Sequence, residues 1–330
     1  MINTEVFHKF FMKNPEFYDI VKIDDLRVSI PQTSHFSIGT SPYYAHQHGL
    51  AIDIYHNLTL ENYEVLSPIS GKILKIKTLK APKSKFLNGV DIDYLILVSN
   101  SSNSDILWKI MHVKPNIEVG DQIAIGDPLG KTIRNGYFAY WSSPHLHLEI
   151  RPVNDAIRAR GGKNFSLAIE KKENIVDSSE KFNLTKIPVE INSIYPEMIL
   201  AHVPKHFYHK FFPIYGIKVR INHLDCILDG GIPHYKIGTI IFQKEFNFKN
   251  NPLIYLGSTK IGTLHEKSGQ LGFFKFDNIK FLLNNKEIRG ISLYLANFFP
   301  LIKIIPYSKN EFSFKPNSIQ NLKIVLEEKF

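Results

Sequence analysis

The chain has 330 residues and a net charge of +9, with 44% apolar and 22% charged residues; this length accommodates two domains of ordinary size, and no apolar run is long enough to predict a membrane span. The lysines are scattered rather than clustered, so the positive charge does not predict a nucleic-acid partner. A single cysteine, Cys226, excludes an intramolecular disulfide and a cysteine-based zinc site, so any metal must be held by histidine and carboxylate groups.

Residues 1–25 are predicted to form an N-terminal helical segment, because aromatic residues recur there at loosely helical spacing. They are Phe7, Phe10, Phe11, Phe17 and Tyr18. The segment mixes these rings with charged residues and lacks both a continuous apolar core and a small-residue cleavage site, so no signal peptide is predicted. We therefore expect a cytoplasmic protein, or one exported by a non-standard route.

Residues 26–165 are predicted to form an all-β domain, because short apolar runs alternate there with turn signals. The runs begin near positions 27, 50, 71, 94, 106, 122 and 145. Around the run at 122, the pairs Gly120-Asp121 and Gly126-Asp127 are typical of tight reversals between β segments.

A polar, charged stretch at 166–187 is predicted to be an interdomain linker. Strand-like runs resume in residues 188–330 and predict a second β-rich, sandwich-like domain of unknown role. We expect the two domains to fold separately, and the second to serve targeting rather than chemistry. Its histidines lack nearby acidic partners, and the segment Asp229–His234 has the composition of a turn.

The segment from Pro144 to Ile150 carries the first sign of chemistry, since two histidines alternate in it with apolar residues. Residues i and i+2 of a strand point to one face, so His145 and His147 project together. Taken alone, the pair is more typical of two solvated imidazoles on an exposed strand. Two further strand-like segments contain possible ligands and favour a shared metal site instead. The first contains His46, His48 and Asp53, and the second contains His112. A hydrolytic zinc site uses three such ligands and leaves the fourth position to water.

Six segments occur in a defined order between residues 27 and 153. They are Thr33–Phe36, His48-Gly49 with Asp53, Leu66–Ile73, Ile110–His112, Gly120–Gly126 and His145–His147. This order resembles the LytM/lysostaphin-type zinc metallopeptidases, which cut peptide cross-bridges in bacterial cell walls. The resemblance implies a duplicated hybrid motif, of the barrel-sandwich hybrid type, for residues 26–165. It also implies a zinc-dependent endopeptidase whose substrate is a peptide or a wall polymer.

Carried over position by position, the resemblance implies that His48, Asp53 and His147 bind Zn2+. It implies that His112 and His145 are catalytic and act on the attacking water and the tetrahedral intermediate. This division is chemically consistent, because one neutral imidazole can accept a proton while a protonated one stabilises the oxyanion. Glu149 lies on the same predicted strand face and could orient one of the imidazoles.

The first zinc ligand departs from the family pattern. The family separates this histidine from the aspartate by three residues, whereas four residues lie between His48 and Asp53. Strand alternation would place them on opposite faces, and a β-bulge at Gly49 would restore a common face. His46 is the competing ligand. His35 and His56 are interpreted as surface or rim residues.

The alternative function is a non-catalytic LytM-like binding or regulatory protein, since some relatives keep the barrel and lose ligands. Every one of the five functional positions has an occupant here, which favours the enzyme. A phosphotransfer or lipoyl carrier with a similar barrel motif is disfavoured, because Asp53 accompanies the His-x-His segment and no lysine occupies an obvious hairpin tip. The identity of the substrate and the oligomeric state do not follow from the sequence.

Overall fold

The chain folds almost entirely into β-strands, which confirms the all-β class predicted from the sequence. The computed structural model describes residues 15–86, 89–100, 102–170, 187–245, 248 and 250–327. Across these ranges no helix combines the length and the apolar character needed to cross a membrane.

The N-terminal half, residues 15–170, is built from short strands joined by turns. Its described strands are β1 (Phe17–Ile23), β2 (Leu26–Pro31), β3 (His35–Ser37), β4 (Ala51–Tyr55), β5 (Glu64–Leu66), β6 (Gly71–Lys80), β7 (Ile92–Ser99), β8 (Ile106–Met111), β9 (Val113–Pro115), β10 (Gln122–Ile123), β11 (Pro128–Thr132) and β12 (Leu146–Pro152). One helical turn, α1 (Tyr44–Gln47), precedes β4, and a 3-10 turn (Val153–Asp155) follows β12.

A seven-stranded antiparallel sheet in this half has the order β10-β6-β7-β8-β12-β4-β3. Its centre is apolar on one face, where Ile52, Ile54, Leu146 and Leu148 are buried in the main core. Since successive side chains of a strand alternate between faces, the polar residues between them point to the other face. Strands β5, β11 and β9 form a second, smaller sheet, and β1 pairs with β2.

The N-terminal segment differs from the prediction of a helix over residues 1–25. Phe17–Ile23 is strand β1, which pairs antiparallel with β2 and has a register shift between Asp19 and Val21. The shift lets both Ile20 and Val21 be buried, which a strictly alternating strand would not allow. Residues 1–14, which contain the rest of the predicted helix, lie outside the described residues.

The C-terminal half, residues 187–327, is also β-rich, as predicted. Its described strands are β13 (Ile187–Tyr195), β14 (Met198–His202), β15 (Tyr208–Phe211), β16 (Ile214–Ile221), β17 (Leu224–Ile232), β18 (Ile237–Ile241), β19 (Leu253–Leu256), β20 (Thr259–Ser268), β21 (Leu271–Phe276), β22 (Ile279–Leu283), β23 (Lys286–Ile288), β24 (Gly290–Leu293), β25 (Ile302–Ile305) and β26 (Ile319–Leu326). They form one antiparallel sheet, in which the additional pairing of β16 with β17 closes β16, β19, β20, β21, β18 and β17 into a ring. A 3-10 turn lies at Lys205–Phe207. Of the segment Asp229–His234, predicted to be a turn, the first four residues belong to β17 and only Pro233 and His234 lie in a turn.

The two halves share one core. Phe36 and Ile38 from the N-terminal half are buried in the same apolar cluster as Ile227, Phe273 and Leu295 from the C-terminal half. Backbone hydrogen bonds join Phe36 and Leu295 in both directions. The expectation that each half folds separately stays a prediction, and this shared core is the observation that weighs against it.

The backbones of the two halves also approach closely at a pair of glycines. A Cβ atom added to Gly230 would lie 2.8 Å from the carbonyl oxygen of Gly39, and one added to Gly39 would lie 2.7 Å from Oγ1 of Thr239. Gly230 also has a φ of +117°, which side chains of L-residues rarely allow. Any larger residue at either position would force the halves apart.

The first part of the predicted linker is packed rather than free. Leu167 is buried and bridges to Val21, and the Glu170 amide donates to the carbonyl of Phe212. Residues 171–186 lie outside the described residues, so the remainder of the linker stays a prediction.

Candidate metal centre

Two of the predicted ligands face each other across neighbouring strands. His147 of β12 is the direct antiparallel partner of Asp53 of β4, and its Nδ1 lies 3.0 Å from Oδ1 of Asp53. His46 completes a cluster with them, with its Nε2 at 3.1 Å from Nδ1 of His147 and 3.3 Å from Oδ1 of Asp53. All three side chains are buried, and each offers one ligand atom within 4.8 Å of the other two.

His46, and not His48, is the histidine beside Asp53, so the prediction for the first ligand position is wrong in its geometry. Both histidines lie at helix α1 rather than in a bulged strand. Each residue of a helix advances by about 100°, so residues i and i+2 point in nearly opposite directions. His46 is therefore buried in the cluster, whereas His48 stacks on Tyr44 with ring centroids 4.1 Å apart. Gly49, with φ of +66°, then turns the chain into β4.

Hydrogen bonds fix which nitrogen of each cluster histidine faces inward. Nδ1–H of His46 donates to the carbonyl of Ile38 at 2.7 Å, which leaves the Nε2 lone pair directed at Asp53. Nε2 of His147 donates to Oε1 of Glu149 at 3.0 Å, and its Nδ1 faces Asp53. The suggestion that Glu149 orients an imidazole therefore matches the geometry.

Glu149 is itself held by two buried cations. Nζ of Lys109 donates to Oε1 of Glu149 at 2.8 Å, and Nη1 of Arg151 donates to Oε2 at 3.0 Å. Burial alone would raise the pKa of Glu149, but the hydrogen bond from His147 and the charge of Lys109 lower it to about 2. The carboxylate is therefore a fixed negative acceptor for His147.

Asp53 and His147 are held in their charged forms although both side chains are buried. Burial would raise the pKa of Asp53, but the nearby imidazoles of His145, His46 and His147 hold it well below its usual value. Burial would lower the pKa of His147, but its hydrogen bonds to Asp53 and Glu149 raise it to about 9. The ionised carboxylate stabilises a positive charge beside it, and a bound cation can take the place of the proton on His147.

The residues present fit a zinc ion. Two imidazole nitrogens and one carboxylate are a standard ligand set for hydrolytic zinc. Oδ2 of Asp53 is buried and forms no hydrogen bond with the described part of the chain. A buried carboxylate oxygen without a donor is costly, and a bound cation would remove that cost.

The other two predicted residues, His112 and His145, lie next to the cluster. Their ring centroids are 5.4 Å apart, and the centroid of His112 lies 5.7 Å from that of His147. Nδ1–H of His145 donates to the carbonyl of Ser143 at 2.9 Å, and its Nε2 lies 3.4 Å from Oδ2 of Asp53. Burial lowers the pKa of His145 to about 3, so the imidazole is neutral.

His112 is held by a carboxylate that the sequence analysis missed. Asp93 of β7 accepts from Nδ1 of His112 at 2.7 Å and from its backbone N–H at 3.0 Å. The double contact supports the left-handed backbone of His112, whose φ is +67°. Burial would raise the pKa of Asp93, but its contacts with His112 lower it, so the carboxylate is ionised and accepts from Nδ1–H of His112.

A cleft of about 410 Å³ opens over these residues. Aromatic side chains dominate its walls, among them Tyr43, Tyr44, Tyr137, Phe138 and Trp141. The C-terminal half supplies part of the lining, namely Tyr235, Ser292, Tyr294 and Lys303. The cleft is thus formed by both halves, which the sequence analysis did not anticipate.

The structure brings together Asp53, His112, His145 and His147 from the predicted set, and adds His46. The expectation that His35 is a surface residue is wrong: it is 6% exposed and packs edge-on against Tyr294 and Phe298. Asp93 had a weak signal in the sequence, as an acidic residue within an otherwise apolar strand.

Two family models match separate parts of the chain. The model of the domain of unknown function (DUF8155) N-terminal domain matches residues 26–167, and the corresponding C-terminal domain model matches residues 203–315. No curated protein matches the chain.

Two solved structures are similar to the chain. The antimicrobial peptidase lysostaphin from Staphylococcus simulans is 14% identical and has a TM-score of 0.27, over 88% of this chain and 96% of that one. An NMR solution structure of lysostaphin is 16% identical and has a TM-score of 0.23, over 94% of each chain. Both TM-scores are below 0.5, so the function is inferred from the residues of the site.

Proposed function

We propose that this chain is a zinc-dependent metalloendopeptidase that hydrolyses peptide bonds in a peptide or wall-polymer substrate. The observation that carries the proposal is the meeting of five groups from separate segments at one cleft: His46, Asp53 and His147 as a ligand set, with His112 and His145 beside it. A purely structural role is disfavoured, because Oδ2 of Asp53 is buried without a hydrogen-bond donor among the described residues, which is costly unless a cation binds there.

In this proposal His46, Asp53 and His147 would hold zinc, which supplies Lewis acidity and a water molecule of lowered pKa when bound. His145 is positioned to accept a proton at Nε2, because its Nδ1–H is committed to Ser143. His112 would act on the developing oxyanion through Nε2, because its Nδ1–H is committed to the Asp93 carboxylate. The two histidines thus have opposite roles set by their hydrogen-bond partners.

The aromatic walls of the cleft would bind the substrate backbone and exclude water. Tyr43 and Tyr137 meet edge to face with ring centroids 6.0 Å apart, and the ring of Phe138 lies 4.9 Å from that of His145. Such a surface suits an uncharged stretch of peptide better than a densely charged one.

The proposal is tested by metal analysis and digestion with the same preparation. We expect about one zinc per purified chain, cleavage of glycine-rich peptides or of wall polymer, loss of cleavage on chelation and recovery when zinc is returned. Cleavage that survives complete removal of metal would contradict the proposal, as would a chain that binds no zinc.

A further inference from the structure

A buried carboxylate of the C-terminal half holds a loop of the N-terminal half. Asp229 of β17 is fully buried; its Oδ2 accepts from the backbone N–H groups of Ile38 and Gly39 at 2.7 and 2.8 Å, and its Oδ1 accepts from the Ser37 hydroxyl at 2.8 Å. Within the described ranges it forms no ion pair with a lysine or arginine. Burial raises the pKa of Asp229 to about 6, so its charge is retained at neutral pH only at a cost.

The loop that Asp229 holds is the one that orients His46. The carbonyl of Ile38 accepts from Nδ1–H of His46, while the N–H of the same residue donates to Asp229. One peptide segment thus connects the two side chains. A shift of this loop would move the acceptor that sets the tautomer and the direction of His46.

A buried lysine of the same half contacts a second segment of the site. Lys303 of β25 is 1% exposed, and its Nζ donates to the Ser143 hydroxyl at 2.8 Å and to the carbonyl of Trp141 at 3.0 Å. No carboxylate pairs with it among the described residues, and burial holds its pKa well below the usual value. The carbonyl of Ser143 in turn accepts from Nδ1–H of His145.

The two contacts have the same design. In each, a buried ionisable side chain from a C-terminal strand binds a segment whose backbone carbonyl accepts from one site histidine. Burying an ionisable group without an oppositely charged partner is unfavourable, whereas burying an apolar residue of similar size is not. In place of an oppositely charged partner, Asp229 and Lys303 contact the segments next to His46 and His145.

We propose that Asp229 and Lys303 are positioning residues, through which the C-terminal half sets the geometry of His46 and of His145 respectively. This inference rests on the proposed function and deepens it: the C-terminal half is a structural part of the site, contrary to the expectation that it serves targeting alone. Because the two residues act on different histidines, their loss has different consequences. Asp229 acts on a metal ligand, and Lys303 acts on a proton acceptor.

The first test measures zinc affinity and turnover separately. Asp229→Ala should weaken zinc binding by about 10–100-fold, the usual effect of losing an outer partner of a ligand. Asp229→Asn should recover most of that affinity, because its amide oxygen can accept from both N–H groups and its amide nitrogen can donate to Ser37. Lys303→Met should bind zinc like the unmodified chain and lose about 10-fold or more in kcat. The matched controls, Asp25→Ala and Lys315→Met, change exposed residues of the same types and should alter neither quantity.

Equal losses of zinc affinity and kcat in Asp229→Ala and Lys303→Met would overturn the proposal, since they would indicate general loosening of the fold. No change in either variant would also overturn it. Urea unfolding shows which variants are folded. If the charge variants are not, Ser37→Ala and Ser143→Ala each remove one contact without removing a charge, and they should produce the same split in smaller measure.

A second readout does not depend on activity. In metal-free protein, two-bond 1H–15N spectra of the imidazoles should show the Nδ1–H tautomer for both His46 and His145. Asp229→Ala should change the spectrum of His46 alone, and Lys303→Met that of His145 alone. If the unmodified chain neither binds zinc nor cleaves peptides, the proposed function fails, yet these spectra still decide whether the two charges position the histidines. Unchanged spectra in both variants would refute the positioning role.

Discussion

Two kinds of segment deliver the site residues, and they are held in place by different means. Asp53 and His147 lie opposite each other in adjacent strands, so the hydrogen-bond register of one sheet fixes their separation. His46 and His145 lie outside strands, and their orientation depends on carbonyls of loops that contact the C-terminal half. Strand register therefore places Asp53 and His147, whereas His46 and His145 depend on the packing of two regions distant in sequence.

The sharpest test of this comparison is to remove the ligands one at a time. Asp53→Ala and His147→Ala should lose zinc and reduce turnover on the order of 10⁴-fold or more, because a site with two remaining protein ligands binds zinc weakly. His46→Ala should behave in the same way, although His46 lies in a helical turn rather than in a strand. Metal content and kcat of each purified variant provide the measurement.

His48→Ala is the matched control for the ligand variants, since His48 lies two residues from His46 and points away from the cluster. It should retain about one zinc per chain. Loss of zinc in His48→Ala with retention in His46→Ala would show that His48, and not His46, is the zinc ligand from this helical turn.

Substitution of His112 or His145 should have a different effect from substitution of a metal ligand. His112→Ala and His145→Ala should each keep about one zinc per chain and lose on the order of 10² to 10⁴ in turnover, the usual span for a general acid or base. Single-turnover kinetics with metal analysis of the same sample would check this. A His145→Ala variant that loses its metal would place His145 among the ligands.

Asp93→Asn should have a smaller effect, because it perturbs His112 without removing it. The amide nitrogen of asparagine would face Nδ1 of His112 and disfavour the Nδ1–H tautomer, so we expect kcat to fall by about 10–100-fold. Zinc content should not change. Asp105→Asn, at an exposed aspartate, is the control, and equal activity of both variants would show that Asp93 only supports the backbone.

The smallest expected effect concerns stability at the contact between the halves. Burial, with the charges of His202 and Lys303, lowers the pKa of His35 to about 3, whereas the unfolded chain has a value near 6.5. As the pH falls from 6.5 towards 3, the unfolded chain binds a proton that the folded chain does not, so stability is lost in this window. His35→Phe should remove roughly 1–3 kcal/mol of that loss. Urea midpoints at pH 7 and pH 4 would measure it, and an unchanged pH dependence would contradict the buried neutral state.

The contrast between residues placed by strand register and residues placed by contacts with the C-terminal half explains how much of the site could be predicted from the sequence. Period-2 alternation predicts that His145 and His147 share one face, because the alternation follows directly from strand geometry. Short apolar runs between turn signals predict the all-β class, and the family resemblance adds Asp53. His46 was ranked below His48 because the segment before Asp53 was treated as a bulged strand, and a single helical turn has too few residues to show a period. Asp229 and Lys303 could not be found, since their role depends on contacts between residues more than 150 positions apart.

The close approach of Gly39 and Gly230 has a consequence for recombination between related proteins. Neither position has room for a side chain, so a chimera that takes its first half from one parent and its second half from another must have glycine at both places. A parent with alanine at position 39 and a compensating change elsewhere in its own second half would therefore be incompatible with this one. The two halves are therefore compatible only when both positions are glycine. Exchange of single halves should succeed only between parents that share this glycine pair.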